Sequence, residues 1–296
     1  MKSEQEMFDL FVEIAKEDER IRAIYLHGSR ANPNAWKDEY SDYDVVFVVS
    51  EIKSFISDNN WLSNFGDIYF VFEAYRNEND YFMNEINDLS RRYVWSMILK
   101  DGNCIDLVIE IVEEAMRHSH IKDKPVMVLF DKDSLLPVND SPTDIICAGE
   151  KPAKEKYYAC CTAFWWFLND VSKAIKRDQL PYAMERFRLF NRFTLNQMID
   201  WYIGTQNDFS VSPGDSGRFY KKYLSEELYE LYLKTYSDGY YENFWDAIFY
   251  TCELFRKVAK NVGDYLGLVY NQQQEEVMLE YIKIRLDKSV KECKGK

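Results

Sequence analysis

The chain has 296 residues, of which 47% are hydrophobic and 16% aromatic. This length accommodates two domains, and the apolar content excludes an intrinsically disordered protein. The formal net charge of −13 at pH 7 argues against a protein whose main partner is a nucleic-acid backbone, because such binding depends on clustered lysine and arginine. The charge favours a cationic small molecule as partner, although an acidic surface can also serve solubility alone.

The sequence predicts neither a signal peptide nor a membrane span, because no apolar run is long enough to cross a bilayer. We therefore expect a cytoplasmic protein, and a monomer. The six cysteines show no C-x-x-C spacing, so we interpret them as reduced thiols. His118 and His120 form an H-x-H pair with no further Cys or His nearby to complete a zinc site, which indicates a polar loop.

The first predicted elements are one helix and two β-strands. Apolar residues at helical spacing predict a helix over residues 4–18, with Ser3 as its N-cap. A short β-prone run then ends at Gly28, where a glycine allows the backbone to approach another group closely. A second run of apolar residues, 45–49, follows Asp44 directly and predicts a buried strand.

Between these two strands lie residues suited to phosphate and metal binding. Ser29 offers a hydroxyl and a backbone N–H, and Arg30 offers a forked cation, so this corner suits an anion such as phosphate. Asp42 and Asp44 share one face of the second strand, because residues i and i+2 point to the same side. Two adjacent carboxylates repel each other unless a cation lies between them, and such oxygen ligands suit Mg²⁺. The alternative is that both aspartates are turn residues preceding a strand.

An apolar residue, Gly-Ser and, about a dozen residues later, Asp-x-Asp resemble the signature of the nucleotidyltransferase superfamily related to DNA polymerase β. A closer similarity, to the aminoglycoside 6-adenylyltransferases that inactivate streptomycin, is carried by the segments Gly28-Ser29-Arg30, Asn32-Pro33-Asn34, Lys37-Asp38, Asp42-Tyr43-Asp44 and Trp61-Leu62-x-x-Phe65-Gly66. The resemblance implies an α+β fold, in which an N-terminal nucleotidyltransferase domain with a mixed β-sheet and flanking helices precedes a C-terminal helical bundle. It also implies transfer of AMP from MgATP to the 6-hydroxyl of the streptidine ring of streptomycin.

A third aspartate lies within a later apolar strand. The pattern predicts a partly helical segment over 51–66 and strands over 68–72, 93–99, 105–111 and 126–130. Asp106 lies between Ile105 and Leu107, and an ionised carboxylate in a buried strand needs a cation or hydrogen bonds. The resemblance implies that Asp106 joins Asp42 and Asp44 as the third metal ligand. It is also the nearest candidate for the general base, while the alternative is an aspartate on the solvent face of an edge strand.

The second half of the chain changes to helical periodicity. Residues 131–152, rich in Asp, Ser, Pro and Gly, are interpreted as a linker. Apolar residues then recur every three or four positions, which predicts a helical bundle with helices over 157–175, 183–202, 226–236, 241–266 and 272–286. We therefore predict a catalytic domain over 1–135, a linker over 136–153 and a helical substrate-binding domain over 154–296.

The resemblance extends into this second half through residues such as Lys173, Glu185 and Trp245. In related antibiotic nucleotidyltransferases the helical domain supplies groups to the triphosphate and the drug. This implies that Lys173 contacts the β and γ phosphates, and that Glu185 is a second candidate base or a partner of a drug ammonium group. The alternative for each is a solvated residue on a helix surface.

The expected co-substrate is ATP and the expected cofactor is Mg²⁺. One ion would be held by all three aspartates and a second by Asp42 and Asp44, while Ser29 and Arg30 would hold the pyrophosphate leaving group. Two other hypotheses remain open. In the first, the acceptor is a different antibiotic, a protein side chain or an RNA 3′ end. In the second, the chain is a nucleotide-binding module without turnover.

Overall fold

The computed structural model describes residues 1–33, 35–58, 60–73, 88–117, 126–136 and 150–293, with side chains as far as residue 286. Tertiary contacts divide the chain into two compact units, Met1–Ile146 and Cys147–Lys296. The boundary between the two units falls within 136–153, the segment that the sequence predicts to be a linker. His118 and His120 lie outside the described residues.

The first unit contains the β-sheet. Its strands are β1 (Ile21–Leu26), β2 (Tyr43–Val49), β3 (Ile68–Phe72), β4 (Arg92–Leu99), β5 (Cys104–Ile111) and β6 (Met127–Asp131). In the described part of the unit these strands form one sheet of order β3-β4-β5-β2-β1-β6. The β2–β5 pair is parallel and the other pairs are antiparallel, so the predicted mixed sheet is confirmed.

Helices of the first unit pack on both faces of this sheet. They are α1 (Glu4–Glu17), α2 (Gly28–Ala31), α3 (Lys53–Ser57), a 3₁₀ turn (Trp61–Phe65) and α4 (Val112–Arg117). Ser3 caps α1 as predicted, in a capping box with Glu6. Met7 and Phe11 of α1 pack against Tyr43 and Phe47 of β2 in the larger core, whereas α4 packs on the opposite face.

The second unit is helical in its described part. Its elements are α5 (Lys154–Lys176), α6 (Leu180–Arg186), a π-helix (Phe187–Arg192), α7 (Phe193–Gln206), a 3₁₀ turn (Asp215–Gly217), α8 (Tyr220–Tyr223), α9 (Glu226–Leu233), α10 (Tyr241–Leu266) and α11 (Gln272–Cys293). Its core is separate and rich in aromatic side chains, with Phe164 of α5 stacked on Phe255 of α10 at 3.7 Å between ring centroids. The α+β class is therefore confirmed. Among the described residues, no helix combines the length and apolarity that crossing a bilayer demands.

Two predicted helical segments differ from the structure in the kind of helix they form. The helix predicted over 183–202 is divided by the π-helix, in which buried Asn191 donates from Nδ2 to the carbonyl oxygen of Phe164 at 2.7 Å. The segment predicted to be partly helical over 51–66 consists of α3 and the 3₁₀ turn, and it ends at Gly66 with φ +124°. Both differences concern how helical turns close, which apolar periodicity does not report.

Candidate active site

The site is built where the parallel strands β2 and β5 begin. The Cα atoms of Asp44 and Asp106 are directly paired in the β2–β5 ladder, so the two side chains lie next to each other on one face. This face is opposite α1, because the alternating residues Tyr43 and Val45 point into the core with α1. Asp42 immediately precedes β2 and is exposed to solvent. The structure therefore brings the three predicted aspartates to one end of two adjacent strands.

The Gly-Ser corner lies against the carboxylate of Asp44. The backbone N–H of His27 donates to the carbonyl oxygen of Asp44 at 3.0 Å, which fixes the end of β1 beside β2. Gly28 has φ +71°, and a Cβ atom placed on it would lie 2.1 Å from Asp44 Oδ2. Glycine is thus required by the left-handed backbone and by this contact together. Ser29, in the first turn of α2, is half-buried beside this corner.

The carboxylate of Asp44 lies in an unfavourable electrostatic environment. Burial, the charge of Asp106 and the charge of Asp42, in this order, raise its pKa to about 6. The neighbouring thiol of Cys104 has a raised pKa, owing to burial and to the charge of Asp42, with which it forms a hydrogen bond. A cation bound at this end of the strands would relieve the repulsion among the three carboxylates.

The three aspartates are chemically suited to Mg²⁺, but they do not form a complete metal site by themselves. In the described ranges, no three His, Cys, Asp or Glu side chains converge into a ready-made metal centre. Mg²⁺ is usually held by one or two carboxylates, together with substrate phosphates and water. This manner of binding fits Asp44 and Asp106, which are paired in register. It also fits Asp42, which is close enough to raise the pKa of Asp44.

Arg30 is buried against the segment that leads into β2, and its predicted phosphate contact stays a prediction. Its side chain is 8% exposed, and its guanidinium carbon lies 3.8 Å from the ring centroid of Tyr43. Nε donates to the carbonyl oxygen of Asp42 at 3.1 Å, and Nη2 donates to that of Ser41 at 2.5 Å. Nη1 donates to Glu4 Oε1 at 3.1 Å. The guanidinium therefore contacts the backbone around Asp42 rather than facing outward from the Gly-Ser corner.

Lys173 and Glu185 belong to the second unit, and each forms a local ion pair. Lys173 of α5 lies 3.1 Å from Asp170 Oδ1, one turn earlier on the same helix. Glu185 of α6 lies 2.7 Å from Arg188 Nη2, and its side chain is 52% exposed. The hydrogen bond from Arg188 is the main cause that lowers the pKa of Glu185. Their predicted roles toward the triphosphate and the acceptor stay predictions.

Sequence reasoning missed three residues at this site. Cys104 precedes Asp106 by two positions on β5, so strand alternation could have placed it on the same face. Ser96 of β4 is paired with Asp106 from the other side, and Glu4 of α1 binds Arg30. The Ser96–Asp106 pairing depends on the register of the β4–β5 hairpin, whose two strands were predicted but not paired residue by residue. The contact of Glu4 with Arg30 leaves no signal in the sequence, because it joins elements 26 positions apart.

Comparison with known proteins identifies a family. The sequence profile described as streptomycin adenylyltransferase matches residues 1–284. The chain is 32% identical to the aminoglycoside 6-adenylyltransferase of Bacillus subtilis (strain 168), over 94% of this chain and 96% of that protein. It is also 32% identical to the proteins of the same name from Campylobacter jejuni, over 94% of each chain, and Staphylococcus aureus, over 89% of this chain and 92% of that one.

A solved structure described as an aminoglycoside 6-adenyltransferase from Bacillus subtilis matches 97% of this chain and 99% of its own, with 28% identity and a TM-score of 0.46. The sequence profile and the relatives cover nearly the whole chain, including the residues that build the Gly-Ser corner and the three aspartates. On this evidence the chain belongs to the streptomycin adenylyltransferase family.

Proposed function

We propose that this protein transfers AMP from MgATP to a hydroxyl group of an aminoglycoside, and that the acceptor is the 6-hydroxyl of the streptidine ring of streptomycin. The observation that carries the proposal is the register pairing of Asp44 with Asp106 beside the Gly28 corner. The family and the names of the relatives support an aminoglycoside and ATP as the two substrates.

Mg²⁺ bound by Asp42, Asp44 and Asp106 together with the triphosphate would act as a Lewis acid toward the reacting oxygens. The three carboxylates supply the oxygen ligands, and the close approach of Gly28 to Asp44 orients one of them. Ser29 offers its N–H and hydroxyl to the pyrophosphate leaving group. Lys173 remains our proposed ligand of the β and γ phosphates.

The proposed reaction is an in-line displacement at the α-phosphorus. A bond forms between the acceptor oxygen and the α-phosphorus while the bond to the α–β bridging oxygen breaks, so pyrophosphate leaves. The proton of the acceptor hydroxyl passes to a carboxylate, for which we propose Asp106, with Glu185 as the second candidate. The acidic surface, with a net charge of −13, attracts a guanidinium-bearing drug.

Pyrophosphate release from MgATP tests this proposal, with streptomycin as acceptor and spectinomycin and kanamycin as comparisons. We expect release with streptomycin, and a loss of at least about 100-fold in Asp44→Asn because a carboxylate ligand is removed. Asp133→Asn is the matched control, since Asp133 forms an ion pair with Arg22 in the same unit, 2.5 Å apart. Release with another acceptor and not with streptomycin would overturn the acceptor assignment, and no release with any drug would overturn the transfer itself.

A further inference from the structure

Arg30 is held among groups that belong to the segment around Asp42. The three hydrogen bonds of its guanidinium reach two successive backbone carbonyl groups and one carboxylate from α1. The two carbonyl groups are those of Ser41 and Asp42, which lead directly into β2. A planar guanidinium can donate to two neighbouring acceptors at once, which a lysine ammonium does not reproduce in the same geometry.

The flat face of the same guanidinium is also engaged. It lies over the ring of Tyr43, which is 1% exposed and makes edge-on contacts with Phe8 and Phe11 of α1. Arg30 is thereby fixed by hydrogen bonds at its edge and by an aromatic ring at its face. Lys37 adds a further constraint, because its Nζ donates to the carbonyl oxygen of Arg30 at 2.9 Å.

This arrangement acts on Asp42 through the backbone. Asp42 is exposed and precedes the first residue of β2, so the ladder of the sheet does not itself fix its conformation. The carboxylates of Asp42, Asp44 and Asp106 carry like charges and repel one another before a cation is bound. Arg30 donates to the carbonyl groups of the two peptides that flank the Cα atom of Asp42, and these hydrogen bonds oppose a displacement of Asp42 by that repulsion.

We propose that Arg30 is a positioning residue, which holds Asp42 in the orientation that binds the divalent cation, and that it does not itself contact the phosphates. The inference rests on the proposed function, because it assumes a metal-dependent transfer. It replaces the direct phosphate contact predicted from the sequence.

The test measures metal binding separately from catalysis. Mn²⁺ is titrated into the full chain by electron paramagnetic resonance, with and without α,β-methylene ATP, which cannot release pyrophosphate. In Arg30→Lys we expect the dissociation constant of Mn²⁺ to rise by about 10-fold or more, as found when groups that orient metal ligands are removed. Excess Mg²⁺ should restore part of the transfer activity.

Arg20→Lys is the matched control. Arg20 lies 3.9 Å from the ring centroid of Phe55 and donates to Asp18 and to Ser54, so it resembles Arg30 in its contacts but belongs to another segment. We expect both variants to lower the melting temperature, and Arg20→Lys to leave Mn²⁺ affinity within about twofold. All titrations are made well below the lowest melting temperature.

A milder variant covers the case in which Arg30→Lys does not fold. Glu4→Gln removes the charge that Nη1 of Arg30 meets, and the Glu4 side chain is 42% exposed, so the fold tolerates the change. We expect a weakening of Mn²⁺ binding of about two- to threefold, in the same direction.

Three results would overturn the positioning role. One is unchanged Mn²⁺ affinity in Arg30→Lys and Glu4→Gln. Another is equal weakening in Arg20→Lys, which would indicate general destabilisation. The third is a loss of nucleotide affinity measured without any divalent cation, which would restore the direct phosphate contact. Failure of the wild-type chain to modify any drug, with the Mn²⁺ result intact, would overturn the proposed function and leave the positioning role supported.

Discussion

At the scale of single residues, Gly28 is a position where the structure requires glycine. In Gly28→Ala the new Cβ would lie 2.1 Å from Asp44 Oδ2, so the carboxylate or the corner must move. A displacement of about 1 Å at a catalytic group costs on the order of 100-fold in rate. We expect such a loss of pyrophosphate release, with a smaller effect on the melting temperature.

Gly267→Ala is the control for this substitution. Gly267 has φ +69°, close to the value at Gly28, but no atom lies within 4 Å of its added Cβ. It should therefore lose about 1 kcal/mol of stability from the left-handed backbone and keep its activity. Equal activity in the two variants would show that the contact with Asp44 is not needed for transfer.

Residue-level prediction succeeded where the reason was local. The place of Asp44 at the start of a buried strand follows from the apolar run that it precedes. Asp42 lies outside β2, so strand alternation alone does not fix the direction of its side chain. The pairing of Asp44 with Asp106 needs the β2–β5 register, and two parallel strands joined by a long connection leave no local record of it. The orientation of Arg30 depends on Glu4, which is 26 positions away on α1.

At the scale of elements, Asp200 of α7 joins that helix to α8. Tyr220 donates to Asp200 Oδ1 at 2.7 Å, and burial raises the pKa of Asp200 to about 6 although this hydrogen bond lowers it. A carboxyl group with a raised pKa contributes stability below its unfolded pKa of 3.8, and that contribution is lost as the pH rises through about 6. The folded protein thus retains a half-buried charge at neutral pH.

The variant Asp200→Asn keeps an acceptor for Tyr220 and removes the charge. Each pKa unit corresponds to about 1.4 kcal/mol, and partial solvation reduces this value by about half. Relative to the wild type, we therefore expect the free energy of unfolding of Asp200→Asn to be larger by about 1–2 kcal/mol at pH 8 than at pH 4. That gain corresponds to a melting temperature higher by about 2–8 °C, measured by differential scanning calorimetry.

Asp170 on α5 provides a comparison of opposite sign. Burial would raise its pKa, but hydrogen bonds from Lys173 and Arg186 lower it overall. The stability that Asp170 contributes to the fold is therefore present above pH 3.8, and it is lost as the pH falls through the lowered pKa of Asp170. Asp170→Asn should be less stable than the wild type at pH 8. A destabilising effect of both variants at pH 8 would contradict the assignment for Asp200.

Element-level prediction was accurate for the long helix α10, whose predicted and observed bounds both run from 241 to 266. The broad apolar face of this helix repeats over many turns, so the period is clear. The π-helix at Phe187–Arg192 was missed, because one extra residue in a turn barely shifts the apolar pattern. Its contact with α5 through Asn191 is a tertiary interaction.

At the scale of the whole chain, tertiary contacts give a sheet-containing unit and a helical unit, while the predicted catalytic domain, linker and substrate-binding domain stay predictions. Each unit buries its own core, with α1 against β2 in the first and α5 against α10 in the second. The function did not follow from this architecture, since one fold hosts many reactions. It follows from the aspartates and the Gly-Ser corner, together with the family to which the chain belongs.

The net charge of −13 leads to a prediction about ionic strength. An acidic molecule attracts a polycationic drug over distances comparable to the Debye length, which is about 10 Å at 0.1 M salt. We expect kcat/KM for streptomycin to fall by about 3- to 10-fold between low and moderate NaCl concentrations, mainly through KM. The kcat/KM for MgATP, which is anionic, should stay level or rise with NaCl concentration, because screening weakens its repulsion by the acidic protein. A parallel fall for both substrates would indicate a general effect of salt on the enzyme, and the long-range attraction of the drug would then be rejected.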